Sequence, residues 1–185
     1  MRKRDLEHIL RAASRIVGAD MLVIGSQAIH GAFADEELPE LTMLSREADV
    51  AFWDDPEEIL ADRLDGAFGE LSPFDETHGY YAQGVSTSTA ILPSGWEART
   101  IAWTSDDWGP ITVRLLDPTD LVLSKLAAFR PKDRDFAEAL IAASLLSVES
   151  LRERLPSLPV APLHRRNIDD WLRRLDPSDG AHRDR

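Results

Sequence analysis

Val23-Ile24-Gly25-Ser26-Gln27-Ala28, read together with Glu47-Ala48-Asp49, decides the fold of this chain. The apolar run Met21 to Ile24 has strand length and is β-branched at Val23 and Ile24. It breaks at Gly25, and Ser26 opens a segment, Gln27 to Phe33, that reads as helix with Ser26 as its N-cap. Such a turn holds phosphate well. Glycine lets the backbone approach closely, and a helix start offers unpaired N–H groups and a positive dipole end. Further on, Arg46 to Trp53 reads as a second strand. Alternate residues of a strand face the same way, so Glu47 and Asp49 project together and Ala48 points to the opposite face. Two carboxylates on a rigid strand beside a phosphate-holding turn suit a divalent cation and phosphoryl chemistry. The plainer alternative is an N-cap serine and a polar strand face open to water. Apolar Ala48, Val50 and Phe52 argue for an interior strand, where carboxylates need partners.

Outward from this centre, Leu6, Ile9, Leu10, Ala13, Ile16 and Val17 are spaced as a helix over 5–17, ended by Gly18. Asp55 with Pro56 reads as a helix start, running to Leu64. Ser72-Pro73-Phe74 reads as a loop. Short alternating segments at 80–85, 89–92, 100–103 and 111–116 predict antiparallel strands extending the sheet. Asp117-Pro118-Thr119-Asp120 starts a helix over 118–129, with Asp117 as cap and Asp120 as capping-box acid. Arg130-Pro131 breaks it. Helices over 131–145, 148–155 and 163–175 follow, the last two separated by Pro156, Pro159 and Pro162, and from Pro177 the chain is expected to be disordered. The order of elements predicts an α+β fold, with a mixed-sheet core over 1–116 and a helical part over 117–176.

A strand ending in Gly25-Ser26, a short helix, and a strand carrying the Glu47-x-Asp49 pair resemble the polymerase-β-like nucleotidyltransferase core. Over roughly residues 5–145 the chain is similar to the AbiEii-type toxins of bacterial toxin–antitoxin pairs. The resemblance implies Mg²⁺ (or Mn²⁺) on Glu47 and Asp49, and an NTP whose phosphates meet Gly25 and Ser26. Lys125 lies on the 118–129 helix with Leu121 and Ala128 on its face, and the resemblance assigns it to the triphosphate. Lys132-Asp133-Arg134-Asp135 resembles the basic–Asp pattern that opens the last core helix of those toxins. Asp133 is thereby the candidate third acid, with Asp135 second. A purely electrostatic role of both at a helix N-terminus stands beside that reading. Arg130 and Lys132 are candidates for phosphate or an RNA end. Glu47 departs from the aspartate that the family pattern has at the first acidic position. By resemblance the acceptor is the tRNA 3′ end and the partner a cognate antitoxin. A protein hydroxyl or an aminoglycoside fits the same core chemistry, and a nucleotidyltransferase fold kept as a nucleotide sensor, or a structural partner with no nucleotide site, are the rival readings.

The composition narrows the chemistry. No cysteine is present, which excludes disulfides, thiolate metal sites and cysteine nucleophiles. The five histidines show no ligand spacing, and no P-loop, G-x-G-x-x-G or G-x-S-x-G occurs. His78-Gly79-Tyr80-Tyr81 reads either as a base-stacking wall or as a turn into a strand. The basic start, Met1-Arg2-Lys3-Arg4, lacks the apolar stretch of a secretory signal, and no apolar run has membrane-spanning length, so a soluble cytoplasmic protein is expected. The net charge is -12, concentrated in residues 16–113. Non-specific nucleic-acid binding is disfavoured there, and an RNA acceptor would meet the basic ends.

Overall fold

The computed structural model describes residues 1–176; the expectation for the tail from Pro177 lies outside them. Helix α1 (Lys3–Val17) buries Leu6, Ile9, Leu10, Ala13 and Val17 along one stripe, as its periodicity predicts. Strand β1 (Met21–Val23) follows and is buried throughout. It is the middle strand of a five-stranded mixed sheet. Strand β2 (Glu47–Phe52) runs antiparallel to it, with Val23 opposite Val50. Strand β3 (Tyr81–Gly84) lies outside β2 and parallel to it, placing Tyr81 opposite Glu47 and Gln83 opposite Asp49. On the other side β5 (Val113–Leu115) is parallel to β1, and β4 (Ile101–Trp103) is antiparallel to β5.

Helix α2 (Ile59–Phe68) packs against β2 and β3. It comes so close that a Cβ on Gly84 would lie 2.2 Å from the Ala61 carbonyl oxygen. Gly84 shares a face with Ala82, so α2 covers the Ala48/Ala82 face and leaves the Glu47/Asp49 face free. Opposite that free face stand α4 (Pro118–Ala128) and α5 (Pro131–Ala142), with α6 (Val148–Arg154) and α7 (Pro162–Leu175) stacked behind. One hydrophobic cluster runs through sheet and helices alike, from Leu6 and Val23 to Leu126, Leu140 and Leu172. Among the described residues no helix is long and apolar enough to cross a membrane.

Several local expectations are corrected. The segment after Gly25 is a short 3₁₀ turn, Ser26–Gly31, capped by Gly25, and the Ser26 hydroxyl makes no cap hydrogen bond. Four consecutive residues, Gln27 to His30, are buried there, which a tight turn packed on several sides achieves and a one-faced helix does not. Helix α2 begins at Ile59 instead of Pro56; the Asp55 carboxylate still accepts from its first N–H groups, Leu60 at 3.0 Å and Ala61 at 2.9 Å. The loop at Ser72 is instead helix α3 (Pro73–His78), whose Asp75 N–H donates to the Ser72 hydroxyl. No strand forms at 89–92; a 3₁₀ turn, Thr87–Thr89, leads into irregular chain. The added strands are not all antiparallel, since β3 and β5 run parallel to their inner neighbours. Asp117 caps α4 as expected, but Asp120 is no capping-box acid. Its fully buried carboxylate accepts from Arg99 Nε at 2.7 Å and from Arg154 at 3.1 Å, tying α4 to the 96–99 turn and to α6.

Candidate active site

The sheet face left free by α2 is floored by Glu47 and Asp49 on β2 and by Tyr81 and Gln83 on β3. The Tyr81 hydroxyl donates to Glu47 Oε2 at 3.5 Å. The Ile24 N–H donates to the Asp49 carbonyl at 3.0 Å, which pins the end of β1 against the carboxylate strand. The next residue, Gly25, has no room for a side chain, because a Cβ there would lie 1.6 Å from Asp49 Oδ2. The Asp49 carboxylate therefore rests on the bare Gly25 backbone, and the two motifs read separately from the sequence form one site.

Burial raises the Glu47 carboxyl above its ordinary value, and Asp49 beside it raises it further. Burial also raises Asp49, against the pull of Lys125. Lys125 comes from α4 across the cleft; burial lowers its ammonium, opposed by Asp133 and Asp49. Its Nζ lies 4.7 Å from the centroid of the Phe136 ring of α5, a cation–π contact that keeps the chain aimed inward. Asp133 is almost fully buried at the start of α5. It accepts from Arg130 Nε at 2.6 Å and from the Arg130 backbone N–H at 3.2 Å. Its direct partner is thus Arg130, and it reaches Lys125 only through its charge.

Two clefts meet on these residues. One, of about 640 Å³, is lined by Ser26, Glu47, Asp49, Lys125, Arg130, Lys132, Asp133, Asp135 and Phe136, together with Leu41, Thr42, Leu44 and Ser45. The other, of about 370 Å³, is lined by Gly25, Asp49, Gln83, Val85, Thr89, Ile91, Leu121, Ser124, Lys125 and Arg130. Asp49, Lys125 and Arg130 are common to both. Gly25, Ser26, Glu47, Asp49, Lys125, Arg130, Lys132, Asp133 and Asp135, the residues assigned from the sequence to metal, phosphate or catalysis, all line these two clefts.

A model of the family described as a nucleotidyltransferase of unknown function (DUF6036) matches residues 4–170. The chain belongs to this nucleotidyltransferase family. No curated protein and no solved structure matches the chain. The α+β architecture, a five-stranded mixed sheet with flanking helices, is compatible with a nucleotidyltransferase fold.

Within this nucleotidyltransferase Glu47 and Asp49, side by side on one face of β2, are the residues that could hold a divalent cation in the larger cleft. Among the described residues no group of three or more His, Asp or Glu is placed to hold a metal. Two half-buried carboxylates, both raised by burial and Glu47 raised further by Asp49, fit a hard cation that takes two protein oxygens and completes its shell with water and phosphate. Several site residues escaped the sequence reading. Gln83 enters through the parallel pairing of β3 with β2, which a strand pattern alone does not specify. Leu41 and Leu44 enter through a 3₁₀ turn, Glu40–Met43, before β2, and Phe136 through the packing of α5 on α4. Of the His78-Gly79-Tyr80-Tyr81 stretch, only Tyr81 faces the carboxylates. His78 and Tyr80 pack with His8 and Phe74, with centroids 4.7 Å apart for His8–His78 and 5.8 Å for Phe74–Tyr80.

Proposed function

We propose that this nucleotidyltransferase moves a nucleoside monophosphate from an NTP to an acceptor hydroxyl. The observation that carries the reading is the placement of Asp49 and Lys125, a carboxylate from the sheet and a lysine from α4, at the junction of two clefts. Glu47 and Asp49 would hold Mg²⁺ (or Mn²⁺), which, when bound, draws charge from the transferring phosphate. Arg130 and Lys132 bind triphosphate oxygens, Asp133 holds the Arg130 guanidinium in place, and the unpaired Ser26 hydroxyl donates to a phosphate. The acceptor oxygen bonds to the α-phosphorus while the bond to the bridging oxygen breaks. The electron pair leaves with pyrophosphate, and the hydroxyl proton passes to water. Lys125 neutralises the charge that builds on the α-phosphate, which is catalysis by positioning and electrostatics.

The resemblance to AbiEii-type toxins supports the tRNA 3′ end as acceptor, a cytoplasmic site of action and a cognate antitoxin as partner. The test incubates the protein with Mg²⁺, each α-labelled NTP and a mixed tRNA pool, with Asp49→Ala alongside. Label on tRNA with the wild type only is the expected result. Label on protein instead overturns the acceptor. A two-carboxylate site, without a third acid, favours a second reading in which NTP binds without turnover. Stabilisation by NTP with no transfer to any acceptor is its signature.

A further inference from the structure

Gln83 stands directly opposite Asp49 on β3 and on the same sheet face. Its side-chain amide, exposed on the floor of the 370 Å³ cleft, forms no hydrogen bond with the described residues. Every charged group of that cleft is shared with the larger one: Asp49, Lys125 and Arg130. Lys132, the remaining cation, belongs to the larger cleft. Phosphate oxygens are held by cations, so the triphosphate belongs in the 640 Å³ cleft. The smaller cleft is left to a group without charges to match. Val85, Ile91 and Leu121 give it apolar walls, and Gln83, Thr89 and Ser124 are its uncharged polar groups.

We infer that Gln83 orients the acceptor of the proposed transfer, and that the acceptor unit is one uncharged nucleoside at the end of a nucleic-acid strand. The inference rests on the transferase reading above. Apolar walls suit the two faces of a base, and an amide that both donates and accepts matches ribose hydroxyls. A polycationic sugar would face Lys125 and Arg130 at close range. A single protein side chain would leave most of the 370 Å³ empty. An amide takes no proton near neutral pH, so Gln83 orients the hydroxyl and does not act as its base.

The test measures binding, with no transfer needed. The full chain is mixed with Mg²⁺ and a non-hydrolysable NTP, and the four ribonucleosides are titrated in turn by saturation-transfer NMR. At least one should bind, and Gln83→Leu should weaken it about five- to tenfold, the usual effect of one lost hydrogen bond. The melting-temperature rise with NTP and Mg²⁺ should be the same in Gln83→Leu as in wild type, which shows that the fold and the donor cleft are intact; Gln83→Ala serves as the second variant. Failure of all four ribonucleosides to bind, or binding by the leucine and alanine variants as tight as by wild type, overturns the inference. No melting-temperature rise with NTP in the wild type would instead remove the transferase reading beneath it.

Discussion

At position 25 the smallest possible change, one methyl group, is enough to move a carboxylate. The Gly25 φ of -84° is open to any residue, so glycine is required there by space and not by conformation. A Cβ 1.6 Å from Asp49 Oδ2 must drive Asp49 off the floor of both clefts. Gly25→Ala should therefore keep the fold, seen by circular dichroism, and lower transfer about 100-fold, the scale of loss from roughly 1 Å of misplacement. A wild-type rate would mean that Asp49 does not act from its observed position. Asp49→Asn separates charge from shape. It should lower transfer by at least about 100-fold, the scale of losing a transition-state electrostatic contact. It should also raise the melting temperature in metal-free buffer, because an ionised Asp49 is disfavoured where it sits. A lower melting temperature would show that the pull of Lys125 outweighs burial.

Elements carry the next level of control, and here the chain is partly legible. Asp117-Pro118 announces α4, and the alternation around Glu47 announces β2, because caps and strand faces are set by neighbouring residues. Ser72 followed by Pro73 and Asp75 is a capping signal of the same kind, and it marks α3. The 3₁₀ turn at 26–31 and the partnership of Asp49 with Gln83 depend on what packs against them from distant sequence, so local pattern does not reveal them. Asp120 shows the same limit: a capping-box spacing is overridden by Arg99 and Arg154 arriving from elsewhere. Asp120→Ala would leave both arginines without their buried partner and should cost about 3 kcal/mol by chemical denaturation, the low end for breaking a buried pair. A loss below about 1 kcal/mol would place it with ordinary surface pairs. Asp133→Ala removes the anchor of Arg130 and a helix cap, for a stability loss of about 1 kcal/mol. It should raise the KM for NTP more than it lowers kcat. A collapse of kcat at unchanged KM would return Asp133 to the role of a third catalytic acid.

The whole molecule holds twelve net negative charges, and two of its carboxylates share one floor. The folded-state values of Glu47 and Asp49 are both raised above 4.5 and 3.8, their ordinary values. Just above those values the folded chain therefore binds more protons than the unfolded one, and stability falls as pH rises. The contribution of the pair is complete below the ordinary values and is lost as pH passes upward through the folded ones. A divalent cation competes with the shared proton, so its stabilising effect must grow over the same range. Mg²⁺ should raise the melting temperature more at pH 8 than at pH 5, and NTP should add to the rise, since a ligand of the folded state alone stabilises it by mass action. Any acidic protein gains something from a divalent cation by screening, so the decisive sample is the double variant Glu47→Gln, Asp49→Asn. It keeps the remaining acidic surface and should lose the pH-dependent part of the shift. If the double variant responds to Mg²⁺ as strongly as wild type at pH 8, the cation acts on the surface at large and Glu47 and Asp49 do not hold it.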